Sequence, residues 1–176
     1  MKNIFILFVF ATALFGCDKD DDPQPINPVD QLPPATQTGE NTFGCLLDGK
    51  VFTPGNRPNP LDCYYQFVDG GYYFVLRSNR DINNKLITIG CSIQKLEISE
   101  NQTYQLKEKL DGNAFGFYFS AFDFYETDNI YKGEMHITKL DMNAQIVSGT
   151  FWFNIIDNQG MIHEIRNGRF DVQFTK

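Results

Sequence analysis

The sequence predicts an all-β domain, folded as an antiparallel sandwich or an up-and-down barrel of about nine strands. Three observations carry that prediction. Aromatic residues make up 15% of the 176, with 17 Phe and 8 Tyr, and large, stiff side chains suit a pleated, half-buried surface. From Asn41 onward, short apolar runs are separated by Gly, Asn and Asp at the roughly ten-residue spacing of strands and tight turns. No segment carries a helical apolar stripe.

Taken in order, the elements are these. Cys45–Phe52 places Asp48-Gly49 between apolar pairs, a two-residue hairpin signal. Tyr64–Leu76 repeats the device around Asp69-Gly70-Gly71, Leu86–Ile93 is a β-branched run, and Tyr104–Leu106 is a short strand. Ala114–Phe124 alternates, with Phe115, Phe117, Phe119 and Ala121 on one face. Gly133–Leu140 turns Met135 and Ile137 inward, leaving Glu134, His136 and Thr138 on the other side. Val147–Ile156 sets Phe151, Phe153 and Ile155 against Thr150, Trp152 and Asn154. Asp157-Asn158-Gln159-Gly160 is a turn, and the last strand carries Phe170, Val172 and Phe174 at period two. Sequential strands with tight turns pair as neighbours, so the last hairpins read as a meander. A barrel of this kind would be calycin-like.

Residues 1–16 stand apart. Met1-Lys2-Asn3 gives a positive start and Ile4–Phe15 a short apolar run. A bilayer span needs ~20 apolar residues, so the segment reads as a signal peptide and is excluded from fold reasoning. Leu14-Phe15-Gly16-Cys17 resembles the lipobox of bacterial lipoproteins. That resemblance implies cleavage before Cys17 and its acylation, and two or more chains hold stably to a membrane. Cys17-Asp18-Lys19-Asp20-Asp21-Asp22 resembles the export signal of Bacteroidota surface lipoproteins, with Lys19, Asp20 and Asp21 as its residues. It implies the outer membrane, lipid-anchored, with the domain facing the cell exterior. As bare chemistry, an acidic run also repels anionic lipid and keeps a chain extended.

Five of the eight prolines (Pro23, Pro25, Pro28, Pro33 and Pro34) follow. Such composition buries too little apolar surface to offset ordering entropy, so residues 17–40 are expected to be a disordered tether and 41–176 the domain. At ~3.1 Å per residue in polyproline-II form, the tether would reach roughly 70 Å. Asp18, Asp20, Asp21, Asp22, Asp30 and Glu40 face Lys19 alone in it, so much of the chain's net charge of −7 sits there. No run of Lys and Arg offers a phosphate-binding patch, which excludes nucleic acid.

Leu32–Phe52 (LPPATQTGENTFGCLLDGKVF) resembles the start of an uncharacterised family of Bacteroidota surface lipoproteins. The ends also match, as Gly149-Thr150-Phe151-Trp152-Phe153 and Gly168-Arg169-Phe170-Asp171. The resemblance runs from Leu32 to the C-terminus and implies location and fold, with no catalytic residue to carry over.

The residues that could carry chemistry are few. With Cys17 acylated, Cys45, Cys63 and Cys91 remain in an oxidising setting where disulfides persist. Three thiols allow one internal pair, expected as Cys45–Cys63, with Cys91 a small buried apolar residue. A three-cysteine metal site lacks the close C-x₂-C spacing of zinc ligands. His136 beside Glu134 and His163 beside Glu164 read as exposed strand histidines rather than a general base or metal pair. Neither G-x-S-x-G nor H-E-x-x-H occurs. Asp123, Glu126 and Asp128 form the densest acidic cluster of the domain, read as a solvated turn rather than a calcium loop. Arg169 and Asp171 share a face of the last strand and read as an ion pair, with Gly168 marking a bulge or turn. Trp152 and some of Tyr64, Tyr65, Tyr72, Tyr73, Tyr118, Tyr125 and Tyr131 fall on faces that could be core, or exposed platforms for sugar or protein.

The expectation is therefore an outer-membrane surface lipoprotein with a non-catalytic binding or accessory domain that associates with an outer-membrane protein. The alternative is a binder of a glycan or small apolar ligand on a sheet face or barrel mouth. An enzyme using scattered carboxylates is a third reading. No cofactor and no metal is expected.

Overall fold

The computed structural model describes residues 27–120 and 122–176. The signal peptide, Cys17, Lys19, Asp20, Asp21 and Ala121 lie outside the described residues. The domain is all-β. Its strands are β1 (Thr42–Leu47), β2 (Lys50–Phe52), β3 (Leu61–Val68), β4 (Gly71–Ile82), β5 (Lys85–Ile93), β6 (Gln102–Leu106), β7 (Ala114–Ser120), β8 (Asp123–Glu126), β9 (Gly133–Asp141), β10 (Ile146–Ile156) and β11 (Ile162–Gln173). One 3-10 turn, Pro28–Gln31, precedes them, with Asn27 accepting from the Val29 N–H at its start.

All eleven strands join one sheet in the order β2-β1-β11-β10-β9-β6-β7-β5-β4-β3, with β8 paired to β7. The expected meander is present as β9-β10-β11. The order is not up-and-down throughout, because β6 crosses to β9 and meets β7 in parallel at Leu106 and Ala114. The hairpin expected at Asp48-Gly49 is present as β1 and the short β2, while the run Ala114–Phe124, read as one strand, is split into β7 and β8.

The sheet rolls around one core. Past the end of β11, the Thr175 N–H donates to Cys63 O (2.9 Å) and Thr175 O accepts from the Tyr65 N–H (2.9 Å), joining the chain's end to edge strand β3. After β2, the Gly55 N–H donates to Asn79 O (2.8 Å) on β4. The inward side chains fill the interior. Phe43, Phe52, Phe74, Phe153 and Phe170 are fully buried, with Leu76, Ile89, Met135 and Ile137 between them. Burial of each such side chain contributes about 1.5–3 kcal/mol.

Two expectations are corrected here. Residues 27–40 are not free tether. Leu32 is buried, Pro33 packs on β1, and Thr36 to Glu40 bond to β11. Proline content lowered the expected order, but a buried acceptor on the sheet supplies partners that composition does not reveal. Nor does the Cys45–Cys63 bridge form. Cys45, Cys63 and Cys91 are all free and buried, because hairpins adjacent in sequence are not adjacent in the sheet: Cys45 faces Phe52 and Cys63 faces Leu76. Desolvation pushes all three thiols well above their ordinary range, which leaves them unreactive.

Candidate functional site

The inward side chains form the core, and two grooves lie on the outward faces of the sheet. On one of them a strap, residues 33–40, crosses β1 and β11. At Gly44 on β1 a Cβ would come within 2.5 Å of the Pro33 ring, so only glycine lets the strap lie this close.

Asp171 on β11 holds the strap down. Its Oδ2 accepts from Thr36 Oγ1 (2.7 Å), the Thr38 N–H (3.0 Å) and the Glu40 N–H (3.1 Å). Its Oδ1 accepts from the Gly39 N–H (2.8 Å) and Ser148 Oγ (2.7 Å). The residue is 0% exposed. Burial alone would raise its pKa, but the bonds from Ser148, Thr36, Thr38 and Gly39 prevail and hold it down to about 2. The ion pair read between Arg169 and Asp171 is absent, since Asp171 is consumed by the strap and Arg169 donates to Pro33 O (3.3 Å).

Beside the strap stands Trp152. Phe151 and Phe153 point into the core, so Trp152 between them points out, and it is 39% exposed. A bulge in β11 at Asn167 (φ +53°) brings Arg166 and Arg169 to the same face, opposite Leu46 and Gly44 of β1. The Arg166 guanidinium lies 5.5 Å from the indole centroid and is fixed by bonds to Phe153 O (3.0 Å), Ile165 O (2.9 Å) and Glu164 Oε1 (2.8 Å). Between Trp152 and Ala35 of the strap is a groove of about 560 Å³.

A second outward patch is apolar. Phe115, Phe117 and Phe119 do share a face, as the alternation predicts, but it is the one away from the main core, where Phe115 and Phe117 are themselves buried. Their ring-free partners Ala114 and Gly116 point inward, where Phe153 lies against Gly116. At Gly90 on β5 a Cβ would meet the Phe117 ring at 2.4 Å, so the ring lies flat across β5. Phe124 of β8 stacks on Phe117 at 5.5 Å between centroids, and Lys109 Nζ sits 5.3 Å from the Phe115 centroid. This ledge borders a second groove of about 560 Å³ that also meets Tyr64, Arg77 and Leu86. Both of its cations are paired, Arg77 with Asp62 (2.9 Å) and Lys109 with Glu126 (2.9 Å). Phe124 is 51% and Phe122 95% exposed.

The histidines divide. His136 faces outward, with Nδ1 2.9 Å from Thr103 Oγ1. His163 is not an exposed strand histidine. Its Nδ1 lies 2.8 Å from Asp48 Oδ2 and its Nε2 3.5 Å from Asp157 Oδ2, with the ring 4.8 Å from that of Tyr118. Asp48 also accepts from the Glu164 N–H (2.8 Å), so the group ties the β1–β2 turn to β11. The Met161 and Gln159 N–H groups, together with His163, hold the Asp157 carboxyl below its usual range.

The acidic trio is dispersed. Glu126 pairs with Lys109, Asp128 caps its own turn through the Ile130 and Tyr131 N–H groups (2.6 Å each), and Asp123 pairs with Ser120 across β7–β8. Among the described residues no cluster of three His, Cys, Asp or Glu side chains could hold a metal ion.

The sequence reading missed the strap and the burial of Asp171. The signal was available as a run of donors, Thr36 to Glu40, but nothing in it names the acceptor. What the fold defines is a rolled β-sheet domain with a closed core and two furnished outer faces. The chain belongs to the family described as a domain of unknown function, DUF6252, which matches residues 82–172. That span runs from the last residue of β4 into β11 and holds Trp152, Arg169, Asp171 and the phenylalanine ledge, but not the strap. No curated protein and no solved structure matches the chain.

Proposed function

We propose that this chain is a lipid-anchored protein of the Bacteroidota outer-membrane surface whose β-domain is a non-catalytic binding or accessory module for an outer-membrane partner. The lipobox at Cys17 and the signal at Lys19, Asp20 and Asp21 motivate the address. The observation that carries the binding role is Phe124, 51% exposed over the groove that Phe115, Phe117 and Phe119 line, with the bordering charges already neutralised by their own partners. An apolar, charge-balanced surface on a rigid sheet suits a protein partner.

Affinity purification of the tagged, lipidated protein from mildly solubilised outer membranes, followed by mass spectrometry, tests the reading. A stoichiometric membrane protein that is lost from the eluate of Phe124→Ser supports it. A solitary lipoprotein, or a partner retained by that variant, counts against it. For the address, Ala at positions 19, 20 and 21 should remove the domain from the reach of protease added to whole cells.

A second reading, a glycan binder on a sheet face, is favoured by Trp152. An exposed indole held on a strand is the amphipathic platform a sugar ring stacks on.

A further inference from the structure

The two outer grooves have the same volume, about 560 Å³ each, and opposite chemistry. Both fall in the ~300–1,000 Å³ range of small-ligand clefts. The ledge groove is bordered by four phenylalanines and by cations that already have carboxylates. The strap groove is lined by Ala35, Thr150, Trp152, Arg166, Asn167 and Arg169, over a floor of Phe151 and Gly168, and no carboxylate lines it.

Its electrostatics are one-sided. Arg166 is paired with Glu164, but Arg169 has no carboxylate within 4 Å among the described residues and spends one N–H on Pro33 O. A guanidinium carries five N–H donors in a planar fork that matches a carboxylate in two bonds. Next to it stand a hydroxyl (Thr150) and a side-chain amide (Asn167) that can bond hydroxyl groups. The wall is the chain's single tryptophan, held in place by the stacked Arg166.

We propose that the strap groove binds an acidic saccharide, a pyranose bearing a carboxylate. The C–H face of the sugar stacks on Trp152, its carboxylate meets Arg169, and its hydroxyls meet Thr150 and Asn167. This deepens the glycan reading and rests on it. A neutral sugar would leave Arg169 unanswered, and an extended apolar ligand would leave Thr150, Asn167 and Arg169 so.

Because Trp152 is the only tryptophan, the selectively excited tryptophan emission of the full-length protein reports on this groove and not on the eight tyrosines. Titration with trigalacturonate should shift the emission saturably, with an affinity at least about tenfold above that for neutral cellotriose. By calorimetry, Trp152→Ala should abolish binding of both, and Arg169→Gln should remove the acidic preference. Arg169 also touches the strap, so a second variant guards the test. Asn167→Asp places a carboxylate in the groove without touching the strap, and should weaken trigalacturonate about tenfold more than it weakens cellotriose. Equal affinity for the two sugars overturns the acidic class and leaves the glycan reading standing. No binding of either at millimolar concentration overturns both, and binding that survives Trp152→Ala overturns the site.

Discussion

Replacing Asp171 by Asn keeps the shape of the side chain and removes one acceptor oxygen. With the NH₂ in the Oδ1 position, Ser148 can rotate its hydroxyl to accept, but the Gly39 N–H is left facing a donor. In the Oδ2 position the Thr38 and Glu40 N–H groups are both stranded. The cheaper arrangement costs about 1–3 kcal/mol for one buried orphan donor, and the remaining bonds lose their ionic character. The protonation equilibrium gives an independent bound. A carboxyl held at about 2 when folded, against 3.8 otherwise, favours the charged form by about 2 kcal/mol. Together these place the loss at about 3 kcal/mol, or roughly 10 °C in Tm for a domain of this size.

The pH dependence follows from the same group. Its folded pKa is depressed, so its contribution is complete above about 4 and is lost as pH falls through about 2. Other carboxylates titrate too, so the readout is the stability difference between wild type and Asp171→Asn, measured by urea unfolding at several pH values. That difference should shrink by about 2 kcal/mol between pH 5 and pH 2. A difference that is flat across this window, or a loss under about 1 kcal/mol at pH 7, would refute the reasoning.

Other outcomes follow from the packing and the bonds. Phe153→Ala empties a fully buried site and should cost about 3–5 kcal/mol by chemical denaturation. Cys45, Cys63 and Cys91 should ignore a thiol reagent in the native protein and all react once it is unfolded; a disulfide-linked pair among them would contradict the structure. A double-mutant cycle on Asp48→Ala and His163→Ala should give a coupling of about 1 kcal/mol at pH 6, because the 2.8 Å bond is half-shielded and charge-assisted. Gly44→Val should release the strap, read as new protease cleavage between residues 33 and 40 with the sheet intact.

Much of the sheet was legible because alternation is a local property. Met135 and Ile137 on β9, and Phe151, Phe153 and Ile155 on β10, face the core as their period-two spacing requires. The same rule grouped Phe115, Phe117 and Phe119 correctly but could not orient them. Orientation depends on what fills the interior opposite Gly116, and that is Phe153 from a strand distant in sequence. The crossover of β6 and the bonds between Thr36 and Asp171, 135 residues apart, are likewise long-range facts. Trp152 was recognisable as outward from its neighbours. The groove beside it was not, because its second wall is the strap, whose proline-rich composition reads as disorder.

The two stretches that first suggested a family, around Leu32–Glu40 and Gly168–Asp171, turn out to be one structural unit: Pro33 with Arg169, and Thr36 to Glu40 with Asp171. Mechanically, this unit is the joint through which any pull on the N-terminal chain enters the domain. Tension applied ahead of Asn27 meets the strap before it meets a strand. It must break bonds to a single carboxylate before it can load the longer β1–β11 ladder. The strap therefore acts as a fuse in series with the sheet. When it yields, the sheet stays whole, and what is lost is Ala35 and with it one wall of the groove beside Trp152.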